Sequence, residues 1–160
     1  DPKQRAENLM IVDLMRNDFG RICKSGTVEV PRLLSSEEHP GLQHLVSDVQ
    51  GELIDDISWS QIISALSPPG SVSGAPKSSA LQVISANEMD RGPYCGALGW
   101  VEGNKAVLSV AIRTFWKDKH KLLFGTGAGI TWGSEPLKEW QETELKCAKL
   151  FEVASKTHSK

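Results

Sequence analysis

Cysteine is scarce and unpatterned: Cys23, Cys95 and Cys147 are the only three, with no Cys-x-x-Cys pair. An odd count at scattered spacings excludes a disulfide framework, so free thiols and a reducing, cytoplasmic setting are expected. Long apolar runs are lacking too. Nothing approaches the ~20 residues of a membrane span, and the opening Asp1-Pro-Lys-Gln-Arg-Ala-Glu7 has no signal-peptide core. Nor is there an excess of one charge: 18 basic against 20 acidic residues give a net charge of −2 and a pI near 6.1. Nucleic acid and membrane surface are therefore not expected partners, and an anionic ligand would have to be met by local positive charge. Repeats, low-complexity tracts and linkers are absent. What remains is an ordinary globular composition, 39% apolar and 24% charged over 160 residues, enough to bury a core.

The richest stretch runs from Gly125 to Lys146. Gly125, Gly127 and Gly129 strip the backbone of side chains just before a helix. Ser134 is a natural N-cap and Pro136 suits the first turn, so the helix is expected to start near residue 135. At about 100° per residue, Glu139, Glu142 and Lys146 share a narrow arc, and Trp140, Cys147, Ala148, Phe151 and Ala154 form the opposite, core-facing stripe. Two readings of that arc stand. It is a solvated face with a Glu142–Lys146 pair, or it is a site in which glycine N–H groups and Lys146 take an anion while the carboxylates hold a divalent cation.

Taken in order, Pro2 to Asp18 reads as a helix ending near Gly20, apolar almost all the way round and hence largely buried. Glu7 has Met10, Ile11 and Leu14 as helical neighbours, so its carboxylate is expected to be buried and therefore protonated, paired with a basic residue or bound to a metal. Arg16-Asn17-Asp18 is expected to make structural hydrogen bonds. Thr27 to Val30 reads as a strand, with Pro31 marking an edge or the strand's end, Ser35 to Gly41 as a polar loop with His39 exposed, and Leu42 to Gly51 as a second strand. On that second strand His44, Val46, Asp48 and Gln50 share a face, and His44 is either a structural histidine or a catalyst. Asp55 to Ser58 caps a short helix, Trp59 to Leu66.

Pro68 to Ser79 is a second glycine-bearing turn, opening a helix with Pro76 near its first position. It is not a P-loop, because Pro76 stands where glycine should precede the lysine. It does offer a helix N-terminus, hydroxyls at Ser71 and Ser73, and Lys77, all suited to an anionic or hydroxylated ligand. From Tyr94 the period switches to 2, predicting an antiparallel meander: Cys95 to Glu102, a Gly103-Asn104 turn, Lys105 to Trp116, a turn over 117–120, and Lys121 to Gly125. Arg113 falls in mid-strand, where it could bind an anion bidentately or pair with a core carboxylate. The last residues, with His158, read as a frayed tail.

Six motifs, Ala6-Glu-Asn-Leu-Met-Ile-Val-Asp-Leu-Met-Arg-Asn-Asp18, Gln43-His-Leu-Val-Ser47, Gly70-Ser-Val-Ser-Gly-Ala-Pro-Lys77, Ala111-Ile-Arg-Thr114, Gly127-Ala-Gly-Ile130 and Glu139-Trp-Gln-Glu-Thr143, resemble in order those of the chorismate-binding enzymes. That family includes aminodeoxychorismate, anthranilate, isochorismate and salicylate synthases. Glu7-Asn8-Leu9, Asp13 to Arg16, Gly70-Ser71 and Cys95-Gly96 look more like the aminodeoxychorismate branch.

The resemblance implies an α+β fold of antiparallel sheets flanked by helices, with Mg²⁺ and chorismate in a cleft. Glu7 and Glu142 would hold the metal, with Glu139 in support. Tyr94, Arg113, the N–H groups from Gly127 through Ala128 to Gly129, and Lys146 would fix the substrate carboxylates. Ser71 would lie near the substrate, and His44 would assist at the hydroxyl that leaves or shifts. Ammonia would come from a glutamine amidotransferase subunit or domain. Residues 1–160 would form the C-terminal portion of a single chorismate-binding domain. In the aminodeoxychorismate branch the resemblance implies chemistry on a lysine of an upstream Pro-x-Lys-Gly-Thr motif, and that motif is absent here. The chain alone is therefore expected to be inactive or nearly so.

Overall fold

A computed structural model describes residues 2–39 and 42–156, excluding the side chains of 2–4, His39 and Leu42. The expectations for the 40–41 turn, the His39 side chain and the tail with His158 lie outside the described residues. The architecture is α+β, and it divides into two compact units, Asp1–Ala86 and Asn87–Lys160, each described by itself.

The first unit begins with α1 (Pro2–Phe19), closed by the Gly20 N–H donating to the Arg16 carbonyl at 2.9 Å. Within the unit α1 packs on β2, β1, α2 and α3. Among the described side chains of α1 only Val12 and Asp18 are buried, and Leu9 and Met10 stand 43% and 51% exposed. The expected near-complete burial is therefore corrected. A helix apolar on all sides needs cover on all sides, and its unit supplies it on part of the circumference.

The hairpin of β1 (Glu29–His39) and β2 (Leu42–Gln50) follows. The stretch expected to be a polar loop, Ser35 to His39, is strand, paired Ser35↔Val46 through His39↔Leu42. Of the two readings of Pro31, the edge holds and the strand end does not: β1 is an edge strand of a two-stranded sheet, with Pro31 in the first of two register shifts and Leu34 in the second. Charged side chains hold this ribbon across strands. Arg32 donates to both oxygens of Asp48, at 2.8 and 3.0 Å, and also to Glu37. Next comes α2 (Trp59–Leu66), opened by a full capping box: the Ser58 hydroxyl accepts from the Gln61 N–H, and the Gln61 side chain accepts from the Ser58 N–H. Ile22, Cys23 and Ile62 make the core, with Phe19, Val28, Ile57, Trp59, Ala65 and Leu66 packed round them. Two further helices, α3 (Gly70–Ser73) and α4 (Lys77–Asn87), complete this part.

The second unit holds two hairpins and a long helix: β3 (Ala97–Glu102) with β4 (Lys105–Val110), β5 (Phe115–Asp118) with β6 (Lys121–Phe124), then α5 (Pro136–Ser155). The Gly103-Asn104 turn forms as expected between Glu102 and Lys105, with Gly103 at φ +57°. The single long strand expected from Lys105 to Trp116 is broken at 111–114. There the Ala111 backbone leaves the ladder to bond Gly96 and Cys95, and Arg113 turns to φ 51°. Phe115 and Phe124 pack at 4.8 Å between ring centroids, with Phe151 of α5 against both.

The helix α5 starts where expected, and only its N-cap residue is corrected. Glu135, not Ser134, is the N-cap residue, without a side-chain cap, because the Ser134 hydroxyl instead accepts from the Thr131 N–H at 2.9 Å. Trp140, expected in the core-facing stripe, is 62% exposed. The described residues contain no helix long and apolar enough to cross a membrane.

Candidate functional site

Within the second unit the glycine loop meets the first turns of α5. Lys146 Nζ lies 2.6 Å from a Glu142 carboxylate oxygen and donates to the Gly127 carbonyl at 3.3 Å. Its ammonium thus ties loop to helix while staying 40% exposed. Glu139 stands one turn before Glu142 and lines an open recess with Ala128, Ile130, Ser134, Trp140 and Thr143. Both carboxylates reach water, and Glu142's pairing with Lys146 is of the exposed kind that contributes little and exchanges readily.

The three glycines are bare for three different reasons. A Cβ on Gly125 would fall 2.3 Å from Cγ of Tyr94, so that position is reserved for the aromatic ring rather than for a ligand. A Cβ on Gly127 would lie 3.2 Å from the Tyr94 hydroxyl, and one on Gly129 would meet nothing within 4 Å. Only the 127–129 end is therefore open to close approach.

Tyr94 is half-buried, with the Arg91 guanidinium 5.7 Å from its ring centroid. Burial, reinforced by the adjacent Cys95, pushes its hydroxyl up to about 12, and burial likewise raises the Cys95 thiol. Tyr94 is thus a neutral phenol able to donate a hydrogen bond toward the Gly127 end of the loop. Arg113 is exposed at the break after β4, and its guanidinium meets no carboxylate among the described residues. The expectation of a mid-strand position is corrected, because the ladder ends at Val110.

In the first unit, Glu7 and His44 line one open recess with Asn8, Ile11, Gln43 and Leu45. Glu7 is exposed, not buried among Met10, Ile11 and Leu14 as its helical spacing suggested, because the same side of α1 is open. His44 is exposed and stands opposite Glu37 in the hairpin register. Ser71 is exposed on α3.

Two side chains offered to a ligand by the sequence are engaged elsewhere. Ser73 is buried and donates to the Pro69 carbonyl at 2.9 Å. Lys77 donates to Asp18 and to the Ala65 carbonyl, both at 2.8 Å, with Asp18 only 4% exposed at its side chain. The structural hydrogen bonds expected of Arg16-Asn17-Asp18 are made at Asp18 by this pair.

The donor chemistry suits Mg²⁺: Glu139 and Glu142 present hard carboxylate oxygens from one helix face, both reachable from water. Glu7, the third carboxylate expected, belongs to the other unit. Among the described residues no group of three or more His, Cys, Asp or Glu side chains is gathered as a ready-made cluster.

Within the second unit a bare loop, an ammonium and two carboxylates stand together on an antiparallel α+β frame, and comparison with known proteins gives the family. A family profile described as chorismate binding enzyme matches residues 1–152, and the chain belongs to that family. It is 46% identical over 147 residues to anthranilate synthase component 1 of Saccharolobus solfataricus, covering 90% of this chain and 35% of that protein. The same-named protein of Aquifex aeolicus is 42% identical over 156 residues, covering 96% of this chain and 31% of that one. The crystal structure of anthranilate synthase component I from Streptococcus pneumoniae TIGR4 superposes with a TM-score of 0.79 at 37% identity, over 91% of this chain and 34% of that chain. The chain spans about a third of the length of the curated relatives it matches.

Proposed function

We propose that this chain carries cation- and carboxylate-binding residues of a chorismate-aminating enzyme, of the anthranilate synthase component I type. The curated relatives that share this sequence over nearly its whole length carry that name, and this carries the choice of branch. On this reading residues 1–160 are the C-terminal portion of one chorismate-binding domain in a cytoplasmic enzyme. Ammonia is supplied by a glutamine amidotransferase component.

Each residue's part follows from its chemistry. Glu142 and Glu139, together with Glu7 of the first unit, would hold Mg²⁺, which would supply positive charge to a chorismate carboxylate. The N–H groups from Gly127 to Gly129 take carboxylate oxygens on the side where no Cβ intrudes. Tyr94, kept protonated, donates a hydrogen bond to the same anion. Arg113 offers a two-pronged guanidinium, and Lys146 an ammonium exchanged from Glu142. His44 holds a proton for the hydroxyl that departs, and Ser71 lies beside the substrate.

Calorimetric titration with Mg²⁺ and chorismate tests the reading. The wild-type chain binds chorismate in a Mg²⁺-dependent manner, and Glu142→Ala abolishes that dependence. Metal-independent binding unaffected by the substitution would instead mark a plain anion-binding module and overturn the proposal. A second branch, amination to 4-amino-4-deoxychorismate in para-aminobenzoate and folate biosynthesis, is favoured by Glu7-Asn8-Leu9, Ser71 and Cys95-Gly96. Product analysis on the full-length protein separates it from anthranilate.

A further inference from the structure

We infer that Asn8 is a positioning residue whose carboxamide sets α1 against β2, so that Glu7 and His44 stand on one recess. The inference rests on the roles proposed above for Glu7 and His44. Asn8 Nδ2 donates to the Leu45 carbonyl at 3.2 Å, and Asn8 Oδ1 accepts from the Ser47 hydroxyl at 2.7 Å. Ser47 Oγ in turn accepts the Leu34 N–H at 2.9 Å. One side chain of α1 thereby grips two residues of β2 and, through Ser47, the irregular point of β1 where Leu34 is held at φ 52°. That left-handed backbone is costly for a leucine, and the bond from its N–H to Ser47 is what the structure shows holding it.

The grip falls beside the two residues it serves. Asn8 follows Glu7, and Leu45 follows His44. A helix turned by one residue swings a side chain by about 100°, and a strand slipped by one residue sends it to the opposite face. A clamp made between immediate neighbours leaves no such freedom. The carboxamide suits the task because both of its ends are used, the amide as donor and the carbonyl as acceptor. Aspartate of the same shape would still accept from Ser47 but would set an oxygen against the Leu45 carbonyl, and alanine would do neither.

The test uses the isotope-labelled 160-residue chain and two readouts: nuclear Overhauser cross-peaks from Glu7 and Ile11 to Gln43, His44 and Leu45, and Mg²⁺-dependent chorismate affinity. Asn8→Ala and Asn8→Asp are expected to abolish the cross-peaks across the recess while the resonances of Ile22, Cys23 and Ile62 stay in place. Chorismate affinity is expected to fall about tenfold, as when the partner of a metal ligand is removed. Cross-peaks that persist in Asn8→Ala overturn the inference. Should Asn8→Ala disturb the core as well, the isosteric Asn8→Asp decides: cross-peaks that vanish with the core intact support the inference, and cross-peaks that remain overturn it. A wild-type chain that shows the cross-peaks but binds no chorismate removes the functional reading, while their disappearance in the variants still establishes the clamp.

Discussion

Removing Lys77 is expected to be among the most damaging single changes in the first unit. Its ammonium sits 2.8 Å from an Asp18 oxygen, with side chains 16% and 4% exposed. At that distance and an effective dielectric of about 20, the attraction is about 6 kcal/mol. Deleting the cation leaves a carboxylate sealed from water, and losses of about 3–5 kcal/mol are usual. Replacing both partners by apolar groups removes the stranded charge with the attraction. Lys77→Met should therefore speed amide exchange at Ile22, Cys23 and Ile62 by roughly a hundred- to a few-thousand-fold, and Asp18→Leu combined with Lys77→Met should recover most of that loss. Exchange at the wild-type rate in Lys77→Met, or a double variant no better than the single one, would refute the claim that this buried pair ties α4 to α1.

Tyr94 is the only tyrosine, so ultraviolet titration of tyrosinate isolates it. Its absorbance should appear near pH 12 in the folded chain and near the ordinary 10 in urea. The folded state favours the protonated phenol, so stability is complete below pH 10 and declines as pH rises from 10 through 12. Coincident titrations in both conditions would contradict the burial of the hydroxyl. Gly125→Ala should force the Tyr94 ring aside and cost about 1–3 kcal/mol, with the tyrosinate titration moving back toward 10. Gly129→Ala, with nothing within 4 Å, should leave the thermal midpoint in place while weakening chorismate binding, and a fall in the midpoint would show the loop to be packed there.

Some of this was readable from local chemistry. Ser58 with Gln61, the Gly103-Asn104 turn and Pro136 at the head of α5 are each specified by a few adjacent residues, and each forms where expected. What local patterns missed was decided at long range. β1 runs on to His39 because Ser35 to His39 find ladder partners from Val46 back to Leu42 across the hairpin, which the polar composition of that stretch does not register. The break before Phe115 arises from Ala111 bonding back to Gly96 and Cys95, which strand periodicity does not register. At the site, the shared arc of Glu139, Glu142 and Lys146 followed from helical spacing. The bareness of Gly125 was misassigned because the ring that fills its space comes from Tyr94, far away in sequence. Glu7 shows the converse: spacing identifies its neighbours on the helix but not what covers them.

The β3–β4 hairpin leaves Leu98 at 55%, Trp100 at 51% and Val107 at 60% exposed, and its adhesive surface has a practical consequence. With a net charge of only −2, separate molecules repel one another weakly, least of all near pH 6.1. This ribbon therefore adds to the tendency of concentrated samples to associate, and buffers well above the isoelectric point are the natural choice for keeping the chain dispersed.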